Sequence, residues 1–242
     1  MMEVWLPALL ALIAFLYASV GHGGASGYLA AMTLLGFTND VLRPTALVLN
    51  LFVSAVAFSQ FARAGHFQWR LFWPFAVASV PFAWLGGRIE LEPDLYNRIL
   101  AICLLAAVAR LFGLFGSGKE GTRTPPVVLA MAIGAALGML SGMIGIGGGV
   151  LLSPLLLICG WSTVKESAGV SAAFIFVNSL AGIVALSDTA LPITMDHVPW
   201  IVAAFAGGML GSYIGAKHYS AKRLKQVLGA VLLFASVKLL IA

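Results

Sequence analysis

Charge is what this sequence has least of. Only 10% of its 242 residues are Asp, Glu, Lys or Arg, 9 acidic and 14 basic, against 61% hydrophobic, and the mean hydropathy is +1.00. So few charges cannot cover the water-facing surface of a soluble domain of this length. They form no basic face for a nucleic-acid backbone, which excludes that class of partner. No GxxxxGKS/T stretch occurs, so transport driven by the chain's own ATP hydrolysis at a P-loop is excluded too. The histidines, His22, His66, His197 and His218, are scattered with no helical i, i+4 pair and no carboxylate at ligand spacing, so neither a metal site nor a cofactor is expected. Cys103 and Cys159 each lie inside an apolar run and read as small core residues, not as a disulfide framework. The start, Met1, Met2 and Glu3, lacks the basic region of a secretory signal and no small-residue cleavage site follows, so the first apolar segment is expected to be retained.

What the sequence has in abundance is long apolar runs, at approximately 4–36, 44–62, 71–87, 95–115, 126–160, 167–187, 198–216 and 224–242. Most suit one helical crossing of roughly 20 residues. The runs 4–36 and 126–160 would be about 50 Å long as straight helices, against a hydrocarbon core of about 30 Å, so each must be broken. The breaks are written in glycine: Gly21, His22, Gly23, Gly24, Ala25, Ser26, Gly27 in the first, and Gly142, Met143, Ile144, Gly145, Ile146, Gly147, Gly148, Gly149 in the second. An offset of 124 residues superposes Gly21 on Gly145, Gly23 on Gly147, Gly24 on Gly148 and Gly36 on Gly160, and marks an internal duplication. The expected organisation is a first transmembrane repeat over 1–115, a polar Gly- and Pro-rich linker over 116–126 and a second repeat over 127–242.

If each broken segment crosses the membrane, Lys and Arg divide almost evenly between the two sides. If each enters and returns, Arg63, Arg70, Arg110, Lys119, Arg123, Lys165, Lys217, Lys222, Arg223 and Lys225 share one side and leave Arg43, Arg88, Arg98 and Lys238 on the other. The positive-inside bias therefore favours an all-α polytopic membrane protein of two inverted repeats, each a glycine-broken re-entrant helix plus three transmembrane helices, with both termini outside.

Interrupted helices at matching positions of two halves point to a substrate site near mid-membrane, because half-helix ends leave backbone groups that lipid cannot satisfy. Amide donors at a half-helix N-terminus suit an anion, and glycine admits it closely. The candidate substrate-binding residues are Gly21, His22, Gly23, Gly24, Ser26, Asn50, Gly145, Gly147, Gly148, Gly149, Ser171 and Asn178. Ser26 and Ser153 are read as N-caps of the returning half-helices or donors to the anion, and Ser54 as the repeat counterpart of Asn178. Thr45 adds a hydroxyl, and Arg43 and Lys165 stand where they would draw anions toward a mouth. For any single glycine, helix packing is the ordinary alternative, as interhelical hydrogen bonding is for the asparagines. Two other functions stay open: a channel-like or cation pathway using carbonyls, and intramembrane hydrolysis with Ser26 in the Gly24-Ala25-Ser26-Gly27 stretch as nucleophile.

GHGGASG from Gly21 to Gly27 and GIGGG from Gly145 to Gly149, each followed by Gly36 or Gly160, resemble the sulfite exporter TauE/SafE family of membrane permeases, as does Ala168-Gly169-Val170-Ser171 in the next span. The resemblance covers nearly the whole chain, and departs from the family's pattern at His22 and Ala25. It implies a multi-pass bacterial inner-membrane permease for small anions such as sulfite, sulfonates and other organosulfur compounds, and no enzyme. The partners it implies are a small anionic substrate, a coupling ion (proton or sodium) and membrane lipids; a homo-oligomer is allowed.

Overall fold

The computed structural model describes residues 2–112, 123–186 and 194–217, together with 233, 236 and 237. Every regular element among them is helical: α1 (Met2–Ala18), α2 (Ala25–Leu34), α3 (Asn39–Arg63), α4 (Trp69–Gly87), α5 (Pro93–Leu111), α6 (Val127–Ile144), α7 (Gly149–Ile158), α8 (Val164–Ala185) and, after a 3-10 turn at Met195–His197, α9 (Val198–Lys217). The chain is an all-α multi-pass membrane protein. Among the described residues α3, α6, α8 and the stretch Met195–Lys217 are long and apolar enough to cross a bilayer. Helices α4 and α5 have 19 residues each, about 28 Å, but α4 carries two prolines and three tryptophans and α5 carries Asp94, Arg98 and Arg110. Residues 116–122 of the expected linker, and most of the last expected span at 224–242, lie outside the described residues.

Large apolar side chains face outward, among them Trp5 (74% exposed), Val128 (81%) and Ile102 (63%). In water such a surface would aggregate, whereas in hydrocarbon it is the solvated face. Tyr28, Phe61, Phe75 and Phe174 are fully enclosed. Both cysteines are unpaired, with Cys103 buried.

The packing keeps its form when the halves are exchanged. Helix α4 lies along α6 and α1 along α9, α3 meets α8 across the middle, and α4·α8 and α3·α9 complete the frame. Glycine ladders set the two closest pairs. A Cβ on Gly134, Gly138 or Gly142 of α6 would stand 2.3, 2.2 or 2.0 Å from the carbonyl oxygens of Phe75, Ser79 and Ala83 on α4, and one on Gly207, Gly211 or Gly215 of α9 would stand 2.1, 2.1 or 2.0 Å from those of Ala11, Phe15 and Ser19 on α1. These small-xxx-small faces let backbones touch where lipid offers no hydrophobic drive to association.

The ladders also fix helix direction. Residue numbers rise together along α4 and α6 and along α1 and α9. Helices α3 and α8 run oppositely, since Leu47 lies beside Gly182 and Phe61 beside Gly169. Gln68 at the start of α4 bonds Glu166 at the start of α8, while Gly87 at the end of α4 meets Ala185 at the end of α8, so these two run together. Val53 of α3 packs on Gly208 of α9 and the C-terminal ends of both line one groove, so they too share a sense. Thus α1, α3 and α9 point one way and α4, α6 and α8 the other.

Helix α2 folds back on α1, because a Cβ on Gly27 would meet Ile13 at 2.5 Å and Tyr17 at 2.9 Å. The second broken segment returns likewise: Gly160, beyond α7, accepts a hydrogen bond from the Arg123 amide just before α6, at 3.4 Å. The turns between use left-handed backbone, with φ 77° and 86° at Gly21 and Gly145, 96° and 73° at Gly24 and Gly148, and 84° and 66° at Gly36 and Gly160. Three of the four pairs matched at an offset of 124 thus share a conformation that residues with a Cβ rarely adopt, while in the fourth Gly147 has it and Gly23 does not.

Candidate functional site

The two breaks meet around Asn50, halfway along α3 and fully buried. Its side-chain Oδ1 accepts the Ala25 amide at the N-terminus of α2, at 3.1 Å. Its Nδ2 donates to the carbonyl of Ile146 in the second break at 3.4 Å and to Ser179 Oγ of α8 at 3.3 Å. One carboxamide therefore satisfies an orphan amide of one broken helix and a loose carbonyl of the other, groups that an apolar medium would leave costly. Gly23 and Gly147 make room for it: a Cβ on either would fall 2.0 Å from Asn50 Oδ1 or 2.5 Å from Nδ2, and both would press on Ile175.

That pairing corrects the repeat register on the central helices. Thr38 caps α3 and Thr163 caps α8, an offset of 125, because Trp161-Ser162 stands in the second loop where Phe37 stands alone in the first. Gly21 accordingly abuts the backbone of Ala168 as Gly145 abuts that of Arg43. Asn50 then corresponds to Ile175, and Ser54 to Ser179, not to Asn178. Asn178 is buried but donates within its own helix, to the Phe174 carbonyl at 2.8 Å, and its Oδ1 has no hydrogen-bond partner among the described residues.

The half-helix caps also differ from expectation. Gly24 and Gly148 are the N-cap residues, and neither has a side chain with which to cap its own helix. Ser26 sits inside the first turn of α2 and donates to Tyr17 Oη at 2.8 Å. Ser153 lies within α7, its carbonyl accepting from Ser167 Oγ at 3.2 Å. The tight turns put left-handed backbone at the position before each helix, which glycine adopts readily and serine rarely does, so the serines fall inside the helices. Tyr28 Oη donates to the Gly23 carbonyl at 2.9 Å, its ring filling the space beside Gly24. His22, 3% exposed, donates from Nδ1 to the Val20 carbonyl at 3.0 Å, and its ring stands edge-on to Tyr17.

Around the second break stand Ser141, Phe174, Ser171, Ile175 and Ser179. Gly148 faces Phe174 and Ser141, Gly149 faces Ile175 and the Ser171 carbonyl, and Gly147 faces Ser179. The hydroxyls of Ser141 and Ser171 are buried without partners among the described residues. Thr45 is turned elsewhere, bordering His197, Trp200 and Ile201.

The two cations expected to draw anions are engaged in capping. Arg43 gives its guanidinium to the carbonyls of Gly86, Gly87 and Ile89 at the end of α4, and Lys165 reaches the Ala216 carbonyl at the end of α9 at 3.5 Å. Each places positive charge at a helix C-terminus, where the dipole favours it. Among the described residues no His, Cys, Asp and Glu cluster could hold a metal ion. A groove of about 720 Å³ lies away from the breaks, between the C-terminal ends of α3 and α9, lined by Gln60, Arg63, Tyr213 and Lys217 among others.

Sequence reasoning found the glycine breaks and Asn50 but missed Ile175 and Ser179, whose signal was the one-residue difference between the loops, and Ser141, which no pattern marked. It also missed the ladder glycines of α6 and α9, readable as small residues every fourth position.

Comparison with known proteins accords with this architecture. The chain is similar to a "probable membrane transporter protein" of Sinorhizobium fredii, 39% identical over 94% of each chain. It is also similar to one of Xylella fastidiosa, 27% identical over 92% of this chain and 94% of that one, and to one of Methanocaldococcus jannaschii, 22% identical over 78% and 76%. No solved structure matches. The family model described as "Sulfite exporter TauE/SafE" matches residues 6–239, and the chain belongs to that family of membrane transporters.

Proposed function

We propose that this protein is a secondary transporter of small anions, sulfite, sulfonates or other organosulfur oxyanions, in a bacterial inner membrane, and that it is not an enzyme. The observation that carries the reading is the meeting of two glycine-broken hairpins at Asn50, where an amide of the first break and a carbonyl of the second are bound by one polar group. Two inverted repeats would rock about this point to give alternating access. Support comes from the opposite senses of α1 and α6, of α3 and α8, and of α4 and α9. The family membership and the names of the relatives support the transport class. The Ser26 hydroxyl is given to Tyr17, not to a histidine base, which favours transport over hydrolysis.

The test is uptake into liposomes by purified protein across a panel of sulfite, thiosulfate, sulfate, short sulfonates and carboxylates, with proton and sodium gradients imposed separately. Saturable uptake of a sulfur oxyanion that follows one gradient is expected and identifies the coupling ion. Absence of uptake for every anion under both gradients would overturn the reading.

A further inference from the structure

Resting on the anion-transport reading, we infer that the two breaks are unequal: the anion seat lies at the second break, built from the first amides of α7 and the hydroxyls of Ser141 and Ser171, while Asn50 closes the first. At the first break three polar groups around the start of α2 have partners in place. The Ala25 amide is taken by Asn50, the Ser26 hydroxyl by Tyr17 and the Gly23 carbonyl by Tyr28.

At the second break the groups that would supply those partners are replaced. At the offset of 124, Ser141 stands for Tyr17, Val150 for Ser26 and Leu152 for Tyr28, and at 125 Ile175 stands for Asn50. Ile175 packs against Gly149, with its Cγ1 2.4 Å from where a Cβ would be, and its aliphatic side chain can accept no hydrogen bond. The first amides of a helix have no intrahelical carbonyl, and the N-cap of α7, Gly148, has no side chain to serve them. Ser141 and Ser171, both 0% exposed, border this start: Ser141 Cβ is 3.5 Å from where a Gly148 Cβ would lie, and the Ser171 carbonyl is 2.9 Å from where a Gly149 Cβ would lie. Their hydroxyls have no partner among the described residues, and a buried hydroxyl left in that state is costly unless something occupies it.

The result is a cluster of donors, amides and hydroxyls, in a helix-dipole field that favours negative charge. Arg43, which borders Gly145, turns its guanidinium to the end of α4. The chemistry that fits is a small oxyanion bound by neutral donors, several oxygens each accepting one hydrogen bond.

The experiment is sulfite and thiosulfate binding to full-length protein in nanodiscs, by calorimetry and by ligand-induced shift of the unfolding midpoint, for wild type, Ser141→Ala, Ser171→Ala and Tyr17→Phe. Removing one hydrogen bond to a charged ligand should weaken binding about tenfold, so a loss of about fivefold or more in both serine variants is expected, with Tyr17→Phe within about twofold. The unliganded midpoints of the serine variants should stay level or rise, since each loses an unsatisfied hydroxyl; a merely structural serine would lower them. Serine variants with affinities held within about fivefold, or a Tyr17→Phe loss as large as theirs, would overturn this assignment and leave anion transport standing. A wild type that binds neither anion would overturn both.

Discussion

Asn50 shows how one residue ties two broken segments together. Its carboxamide both accepts and donates, which neither a carboxylate nor an aliphatic side chain can reproduce. Asn50→Ala should cost about 1–3 kcal/mol, the ordinary penalty for leaving a buried donor or acceptor unmade, and should abolish uptake because the two broken helices lose their common partner. Asn50→Asp should be worse than the alanine change, since a carboxylate oxygen would face the Ile146 carbonyl. Unfolding in mild detergent and liposome uptake measure the two effects, and an Asp variant as stable and active as wild type would refute the bridging role. That Asn50 mattered was legible in the sequence, because an amide inside an apolar run must face protein. Its partner was not legible, since nothing in an ungapped alignment says that Trp161-Ser162 adds a residue and turns Ser179, instead of Asn178, toward it.

Among the elements, the glycines divide into two kinds that composition does not distinguish. The ladder glycines of α6 and α9 are helical and pressed on a facing backbone, whereas Gly36 has φ 84° and nothing within 4 Å of a Cβ. Gly138→Ala should lower stability by about 1–3 kcal/mol through forced separation of α4 and α6, while Gly36→Ala should cost about 1–2 kcal/mol through backbone strain alone. The two separate in a cysteine crosslink between α4 and α6, which should slow in the first variant and not in the second; equal crosslinking in both would refute the ladder.

The ends of the elements are legible through charge. His66, in the loop after α3, is held below its ordinary imidazole range, first by partial burial and then by Lys165, against the opposing pull of the Ala216 carbonyl and Glu166. A folded pKa below the unfolded value means that the unfolded chain binds more protons in that window, so this contribution to stability is present above about pH 6.5 and is lost as pH falls through the lowered value. An NMR titration of labelled histidine should place His66 below 6.5, and Lys165→Gln should raise it. A midpoint at or above 6.5 in the parent protein would exclude this pairing of loop and helix start.

For the whole molecule the decisive question is which loops share a side of the membrane. The architecture was legible because two long apolar runs cannot fit a bilayer unbroken and because glycine repeats at matched positions. Helix senses were legible only as a bias in Lys and Arg, since in a bilayer no hydrophobic pattern records direction. The helices add a specific expectation: the loop at Ala64–Gln68, the start of α8 and the end of α9 lie at one end, joined by Gln68 to Glu166 and Lys165 to Ala216. The start of α3 and the end of α4, joined by Arg43 to Gly87, lie at the other. The first end carries Arg63, Arg70, Arg123, Lys165 and Lys217, and the second Arg43, Arg88 and Arg98 beside Asp40, Glu90, Glu92 and Asp94. The first should therefore face the cytoplasm. In a background with Cys103 and Cys159 replaced by Ala, single cysteines at Ala64 and at Val164, which is 47% exposed, should resist an impermeant thiol reagent in intact cells and react in inverted vesicles. A cysteine at Ile89 should behave in the opposite way. If broken segments crossed the membrane instead of returning, Val164 would label with Ile89 and not with Ala64; that single reversal would remove the inverted arrangement and the rocking motion built on it.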